Sequence, residues 1–409
     1  MRIGSEIISR LIMSVKKVLF ICSVYKPNFG GVEITIEKMT NHLKKMGIES
    51  VILTKKFPKE LSEFETIDGI PVYRISRPVL ETEFENAISE IIKNESELKS
   101  DIVHIIGIRR PMPLISFLLA KRWNVPYLVT FAGGDLPQSG NEESKQLWQE
   151  GLTMVKDIVP LADGWTAFAD HTSNLALKIL KDIRKPKIIY GGIDLESIRD
   201  VKAVVNESPY FFAARRLEYS KGIDLLIKAF ANISPRLHGY ELIIAGDGPV
   251  RNELEKLAQL LSIKVRFLGL VDQKTVFEYM KGAVAHVCPS RTESGGLVNY
   301  EAQATGCIAI GSNVDGIPEY IVNNETGLLF ETENIEDLSN KLLLASSDNS
   351  KIHEIRIKAL EESKKHDWKS FTDGYLNLYQ SLASEYRPAD FIPKSKLVVG
   401  LLHKINSQP

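Results

Sequence analysis

The residues best suited to chemistry stand in short polar runs that follow apolar ones. The run Tyr25-Lys26-Pro27-Asn28-Phe29-Gly30-Gly31-Val32-Glu33 follows Val18-Leu19-Phe20-Ile21. Paired glycines at a helix start let backbone approach a phosphate, whose charge the helix N-terminus favours; a plain flexible turn uses the same residues. A second run, Phe211 to Gly222, places Arg215, Arg216 and Lys221 directly after a strand-like stretch. Cations there form a clamp for a diphosphate, or a solvated basic loop. Ala245-Gly246-Asp247-Gly248-Pro249 resembles a dinucleotide fingerprint, but a third glycine is due at 251 and the chain has Arg251. The proline suits a plain structural turn. Gly306 to Ser312 likewise lacks the lysine of a phosphate loop.

The most specific run is Pro289-Ser290-Arg291-Thr292-Glu293-Ser294-Gly295-Gly296-Leu297-Val298-Asn299-Tyr300-Glu301-Ala302. Seven residues separate Glu293 from Glu301, and the glycine pair between them predicts a helix start. Glu293 then lies in the loop and Glu301 a turn or more inside the helix. A carboxylate at the second position can accept both hydroxyls of a ribose. The amides of Gly295, Gly296 and Leu297 can meanwhile hold a phosphate at the helix N-terminus. Carboxylates near a helix start also serve simply as dipole partners.

These runs need elements to position them. Strands are predicted at 17–22, 49–54, 70–75, 102–106, 126–131, 164–168 and 187–190, with helices at 32–46, 113–122, 142–159 and 170–181. After a polar stretch near 194–208 the rhythm restarts. Strands fall at 209–214, 240–245, 264–267, 284–288, 307–310 and 327–330, and helices at 222–233, 250–262, 273–281, 297–305, 316–322 and 335–346. The apolar runs are continuous, as in parallel strands covered on both faces. The fold class is therefore α/β with two Rossmann-like units in tandem, residues 14–200 and 201–366. Ligands of such sheets bind at the carboxyl ends of strands. In the tail, 367–409, Trp368, Phe371, Tyr375, Leu378, Tyr379 and Leu382 recur at helical spacing, a stripe expected to strap back onto the first unit.

Composition narrows the classes. The 409 residues are 44% hydrophobic and 25% charged, enough for two sizeable cores and unlike a disordered or fibrous chain. With 51 basic against 52 acidic residues, no global field would hold the chain on nucleic acid. Three cysteines, Cys22, Cys288 and Cys307, sit in apolar runs and read as small buried thiols. No run approaches the roughly 18 apolar residues of a membrane-spanning helix. Residues 1–12 carry little pattern, and Met13 to Cys22 resembles a charged leader with a short apolar core. No small-residue cleavage site follows, so it reads as the first buried strand of a cytoplasmic protein.

Taken in order, the Gly30-Gly31 loop, the Arg216/Lys221 clamp, the Gly246-Asp247-Gly248-Pro249 turn, the Glu293/Glu301 pair and Gly316-Ile317-Pro318-Glu319 resemble the retaining nucleotide-sugar glycosyltransferases of family four, of GT-B fold. The resemblance spans roughly residues 15–385. It implies a donor-binding second domain, an acceptor-binding first domain and chemistry between them. Arg216 and Lys221 would neutralise the diphosphate, Glu293 would contact the transferred sugar, and Glu301 would hold the ribose. Gly30 and Gly31 would approach the diphosphate from the first domain, and Gly295, Gly296 and Leu297 from the second. Neither metal nor cofactor is implied. The donor is a nucleotide diphosphate sugar, and the acceptor a glycan, lipid-linked or small molecule, as in polysaccharide biosynthesis.

The chain departs from that pattern at three places. Ala132 stands where many relatives carry histidine, Gly191-Gly192 replaces a common Asn-Gly pair, and Gly295 replaces an aromatic residue. Asp135 could orient the acceptor instead. Arg109, with Arg110, could meet an anionic acceptor. Lys55, Lys56 and Lys59 with Phe57 and Leu61 could touch an acidic membrane face, giving a peripheral inner-membrane location. A hydrolysing nucleotide-sugar epimerase and a non-catalytic nucleotide-sugar binding module stand as alternatives.

Overall fold

The computed structural model describes residues 15–28, 30–76, 81–137, 154–347, 349–388, 393 and 395–407, the backbone alone at 81 and 82. Phe29, the N-terminal extension and most of the helix expected at 142–159 lie outside the described residues; 154–158 are helical.

The first sheet contains β1 (Lys17–Ile21), β2 (Glu49–Lys55), β3 (Phe64–Ile67), β4 (Ile70–Ile75), β5 (Ile102–Ile106), β6 (Tyr127–Phe131), β7 (Gly164–Ala167) and β8 (Lys187–Ile188). Their order is β3-β4-β2-β1-β5-β6-β7-β8, and every pairing is parallel except β3 with β4. Strand β1 shows why its apolar run is unbroken. Leu19 and Ile21 join the core on one face of the sheet, Val18 and Phe20 the core on the other. The second sheet contains β9 (Tyr210–Ala214), β10 (Glu241–Ala245), β11 (Val265–Gly269), β12 (Ala285–Cys288), β13 (Ile308–Ser312) and β14 (Leu328–Phe330). It is wholly parallel, in the order β11-β10-β9-β12-β13-β14, again with a core on each face.

Strand order reverses direction between β1 and β5 in the first sheet, and between β9 and β12 in the second. Such reversals part the loops at the carboxyl edge and leave a crevice there. Four of the predicted runs and the loop bearing Asp135 follow these four strands and β6, whereas Gly246–Pro249 follows β10 and Gly316–Glu319 follows β13.

The helix Trp368–Glu385 buries Phe371, Tyr375, Leu376 and Tyr379 in one core with Phe20 of β1 and with Ile36 and Met39 of the helix Gly31–Lys45. Each such side chain contributes about 1.5–3 kcal/mol by leaving water. A buried polar network fixes its register. His104 receives or gives hydrogen bonds to the Tyr379 hydroxyl (2.6 Å) and to Thr130 Oγ1 (2.7 Å). The Tyr375 hydroxyl reaches Thr130 and Thr166 at 3.2 and 3.1 Å. Burial pushes the His104 imidazole down to about 3, so it is neutral. The chain crosses between units where Ile193 N–H donates to the His366 carbonyl (2.7 Å). A β-carbon on Gly192 would stand 2.8 Å from the Trp368 Cα, which explains a glycine at that crossing.

The structure differs from expectation at several elements, among them the strand β3 and the helices Glu81–Lys93 and Ser350–Ser363, which the sequence reading did not place. Residues 316–322 do not form a helix; only the tight turn Ile317–Glu319 does, at a site where Gly316 and Pro318 are both poor helix formers and Gly316 N–H is committed to the Glu293 carbonyl. The polar stretch 194–208 carries a short helix, Leu195–Asp200, capped by the Asp194 carboxylate on Ser197 N–H.

Candidate active site

The loops leaving β9 and β12 run side by side because those strands are neighbours. Arg215 N–H donates to the Ala245 carbonyl (3.0 Å), which keeps the backbone extended one residue past the strand. Arg215 therefore continues the alternation of Phe211 and Ala213, and Arg216 points to the opposite side. A tight turn at Tyr219–Lys221 follows, then the helix Ile223–Ile233. Gly222 links them at φ 64°, with its Cα so close that a β-carbon would lie 1.9 Å from the Pro289 carbonyl oxygen. Only glycine fits this approach.

Arg291 staples the two loops together. Its backbone N–H donates to the Ser220 carbonyl (2.8 Å), and its guanidinium forks onto Asp224 at 2.7 and 2.9 Å. The same guanidinium lies 3.9 Å from the Tyr219 ring centre. Held this way, the loop directs Glu293 at three partners. Its carboxylate accepts from Lys221 Nζ at 3.0 Å, from Ser290 Oγ at 3.3 Å, and from the Arg215 guanidinium. Arg215 also donates to Ser290 Oγ (3.0 Å). Burial and the nearby guanidinium push the Lys221 ammonium down to about 8. Two cations against one carboxylate leave the cluster positive, suited to an arriving diphosphate.

The two members of the expected Arg216/Lys221 clamp stand apart in this structure. Arg216 does not join Lys221 and Glu293: its side chain is 76% exposed and pairs with Glu218 at 2.7 Å. Arg215, only 9% exposed, takes the inner place. Which of two adjacent arginines faces inward depends on where extended backbone stops, and a one-residue difference reverses it.

Glu301 sits on the helix Leu297–Ala304, one turn past its start, and accepts from Gln273 Nε2 at 3.1 Å. Burial pushes its carboxyl up to about 7. Gly296 caps that helix with φ 104°, so the amides of Gly295, Gly296 and Leu297 stand at its N-terminus, where intrahelical partners run out. Asn299 was missed from sequence. It is fully buried, its amide has no partner among the described residues, and its Nδ2 lies 2.8 Å from where a Gly296 β-carbon would be. The Gly246-Asp247-Gly248-Pro249 turn serves as scaffold: Leu217 N–H donates to the Asp247 carbonyl (2.9 Å), and Gly246 N–H to the Gly269 carbonyl (2.7 Å).

The first-domain residues are arranged differently. Gly30 caps the helix Gly31–Lys45, and Glu33 folds back so that its Oε2 lies 2.6 Å from a Gly30 β-carbon position. Burial raises the Glu33 carboxyl. Asp135 Oδ2 accepts from Ile108 N–H at 2.6 Å, and Arg109 donates to the Gly134 carbonyl at 3.2 Å. Both residues thus tie the loop after β5 to the loop after β6. Burial raises the Asp135 carboxyl as well, and its Oδ1 has no partner among the described residues. Ala132 offers no side-chain donor at the start of that loop. Among the described residues, no three His, Cys, Asp or Glu side chains gather as metal ligands, and no helix is long and apolar enough to cross a membrane.

Two facing parallel-sheet units with a cationic, carboxylate-bearing crevice define the GT-B class of glycosyltransferases, and structural likeness agrees. Sucrose-phosphate synthase of Thermosynechococcus elongatus superposes with TM-score 0.73 at 19% identity, over 90% of this chain and all of that one. An Anabaena protein, HepE, in complex with UDP gives TM-score 0.71 at 17% identity over the same shares. In sequence, the family model for glycosyl transferases group 1 matches residues 194–362, and that for glycosyltransferase family 4 matches residues 29–197. The chain belongs to glycosyltransferase family 4. It is 26% identical to an uncharacterised glycosyltransferase of Methanocaldococcus jannaschii, over 91% of this chain and all of that protein. It is 24% identical to the D-inositol 3-phosphate glycosyltransferase of Rhodococcus erythropolis, over 89% and 90% of the two chains.

Proposed function

We propose that this glycosyltransferase moves a sugar from a nucleoside diphosphate sugar to an acceptor hydroxyl, with retention of anomeric configuration and no metal. The observation that carries the reading is the cluster of Lys221, Arg215 and Glu293 beside the N-terminus of the helix bearing Glu301. Lys221 is the fixed cation for the diphosphate, and Arg216 swings from Glu218 onto it when donor arrives. Glu301 takes the ribose hydroxyls and Glu293 a hydroxyl of the transferred sugar. The amides of Gly295, Gly296 and Leu297 face the phosphates from the second domain, and Gly30 and Gly31 from the first. In the step itself, the anomeric carbon's bond to phosphate oxygen breaks on the face where the acceptor oxygen bonds. The acceptor's proton passes to the departing phosphate oxygen, so no protein base is required. The developing charge is stabilised by fixed cations and helix dipole instead.

The division of labour follows: donor on residues 201–366, acceptor on 14–200, with 367–409 returning to the first unit. The UDP in the Anabaena structure supports a uridine donor as the first to test. The inositol phosphate in the Rhodococcus protein's name supports an anionic acceptor, for which Arg109 on the loop after β5 is the candidate cation. The loop bearing Lys56, Lys59 and the 58% exposed Phe57 supports a peripheral contact with an acidic membrane, which vesicle flotation at low salt checks. The main test is a thermal-shift screen against nucleotide sugars. A donor raises the melting temperature by mass action, and Lys221→Ala removes that rise. Wild-type protein shifted by none of them contradicts the reading.

A further inference from the structure

The turn Gly316-Ile317-Pro318-Glu319 has no place in the donor cluster, yet it holds contacts that reach the other domain. The Glu319 carboxylate caps the helix Asp170–Ile179 of the first unit: it accepts from Asp170 N–H at 2.6 Å and from His171 N–H at 2.8 Å. A carboxylate in that place meets two orphan donors and the positive end of the helix dipole. Beside it the Tyr320 hydroxyl donates to the Phe168 carbonyl (3.0 Å), and Thr172 Oγ1 donates to the Ser294 carbonyl (3.2 Å). One helix start in the first unit therefore touches the residue next to Glu293.

Asp315 carries the contact to Glu293 itself. Its Oδ2 accepts from the Glu293 backbone N–H at 3.0 Å, while its Oδ1 stands 3.5 Å from His171 Nε2. The chain returns the bond, Gly316 N–H donating to the Glu293 carbonyl at 3.0 Å. Asp315 adopts φ 51°, a left-handed conformation that a β-carbon disfavours. Gly316 approaches so closely that a β-carbon would lie 2.3 Å from the Ser294 carbonyl oxygen. A strained residue next to a glycine without free space is a pattern met where a loop's position matters to function.

We propose that Asp315 is a positioning residue that seats Glu293 only when His171 of the first domain grips it, with Glu319 as the latch on the same helix. The Glu293 end of the relay rests on the reading above, in which that side chain touches the transferred sugar. The consequence is that the sugar face of the site is assembled by domain contact, so donor turnover is coupled to closure. The relay acts through the backbone of Glu293, whereas Lys221 and Arg215 hold the side chain.

The experiment uses the full chain in two arms. In the first, without ligand, hydrogen exchange is followed at the amides of Asp170, His171 and Glu293 in wild type, His171→Gln, Asp315→Asn and Glu319→Gln. Glu319→Gln should speed exchange at 170 and 171 about tenfold or more, and His171→Gln should speed it at Glu293, across the domain boundary, with melting temperature held within a few degrees. In the second arm, UDP release from UDP-glucose is measured as the probe reaction. His171→Gln and Asp315→Asn should each lower kcat about tenfold with KM little changed, and the double variant should be no worse than the poorer single one. Unchanged exchange at Glu293 in His171→Gln overturns the relay, as does simple multiplication of the two kcat losses. Should Glu293→Gln keep full turnover while the exchange coupling stands, it is the sugar-contact reading that fails and not the clasp.

Discussion

The two faces of the crevice solve different problems. On the second domain, charged side chains converge: Lys221 and Arg215 meet at Glu293, and Glu301 stands one turn into the adjoining helix. On the first domain the charged groups are turned inward to the protein's own backbone. Asp135 holds Ile108, Arg109 holds Gly134, and Glu33 folds over Gly30. On the reading proposed above, the second domain is a largely preassembled electrostatic site that Arg216 completes, so little reorganisation is needed when charge develops on the leaving group. On the same reading, the acceptor face is a framework whose polar groups are already partly spent, so loop shape together with Arg109 would set acceptor choice.

The contrast sets an order of expected losses. Lys221→Ala should lower kcat/KM by about a hundredfold or more, since it deletes a fixed cation at the leaving group; turnover near wild type breaks the donor-face account. The two arginines sharpen it. Arg216→Ala should raise donor KM and lower kcat together by about tenfold or more at unchanged melting temperature, as a charge that engages only with donor would. Arg215→Ala should cost a similar factor and also lower the melting temperature, because it leaves the Glu293 carboxylate short of a partner in a half-dry site. Calorimetry beside steady-state kinetics separates them.

Glu301 gives a pH test with a definite sign. Its carboxyl is raised to about 7, so the unliganded fold favours the protonated form, and this group's stabilisation is lost as pH rises from its ordinary range through about 7. Ribose hydroxyls favour the ionised form. Donor affinity should therefore fall as pH drops below about 7, and Glu301→Gln should flatten that profile. On the acceptor face, Asp135→Asn should alter acceptor KM and leave donor hydrolysis within a few fold. The smallest effect belongs to the strap: Tyr379→Phe, which takes a hydrogen bond from buried His104, should cost about 1–3 kcal/mol in chemical denaturation without changing kcat.

Legibility in the sequence followed the same divide. Strands such as β1 and β9 were plain because both faces are buried, and the glutamate pair was plain because a helix start between glycines dictates its geometry. The edge strand β3 escaped notice. Phe-Glu-Thr-Ile is exposed at alternate residues and pairs with β4 alone, so it carries no run of apolar residues. The choice between Arg215 and Arg216 depends on a single backbone hydrogen bond to Ala245, which leaves no mark in residue types. The clasp at Asp315 and Glu319 joins positions more than a hundred residues from His171, a separation that no local pattern encodes.

The most direct measurement is a crystal structure of the full chain with UDP or whichever nucleoside diphosphate shifts its melting most. The diphosphate should lie within hydrogen-bonding distance of Lys221 Nζ and the Gly296–Leu297 amides, with Glu301 on the ribose. A diphosphate seated away from β9 and β12 would contradict the account.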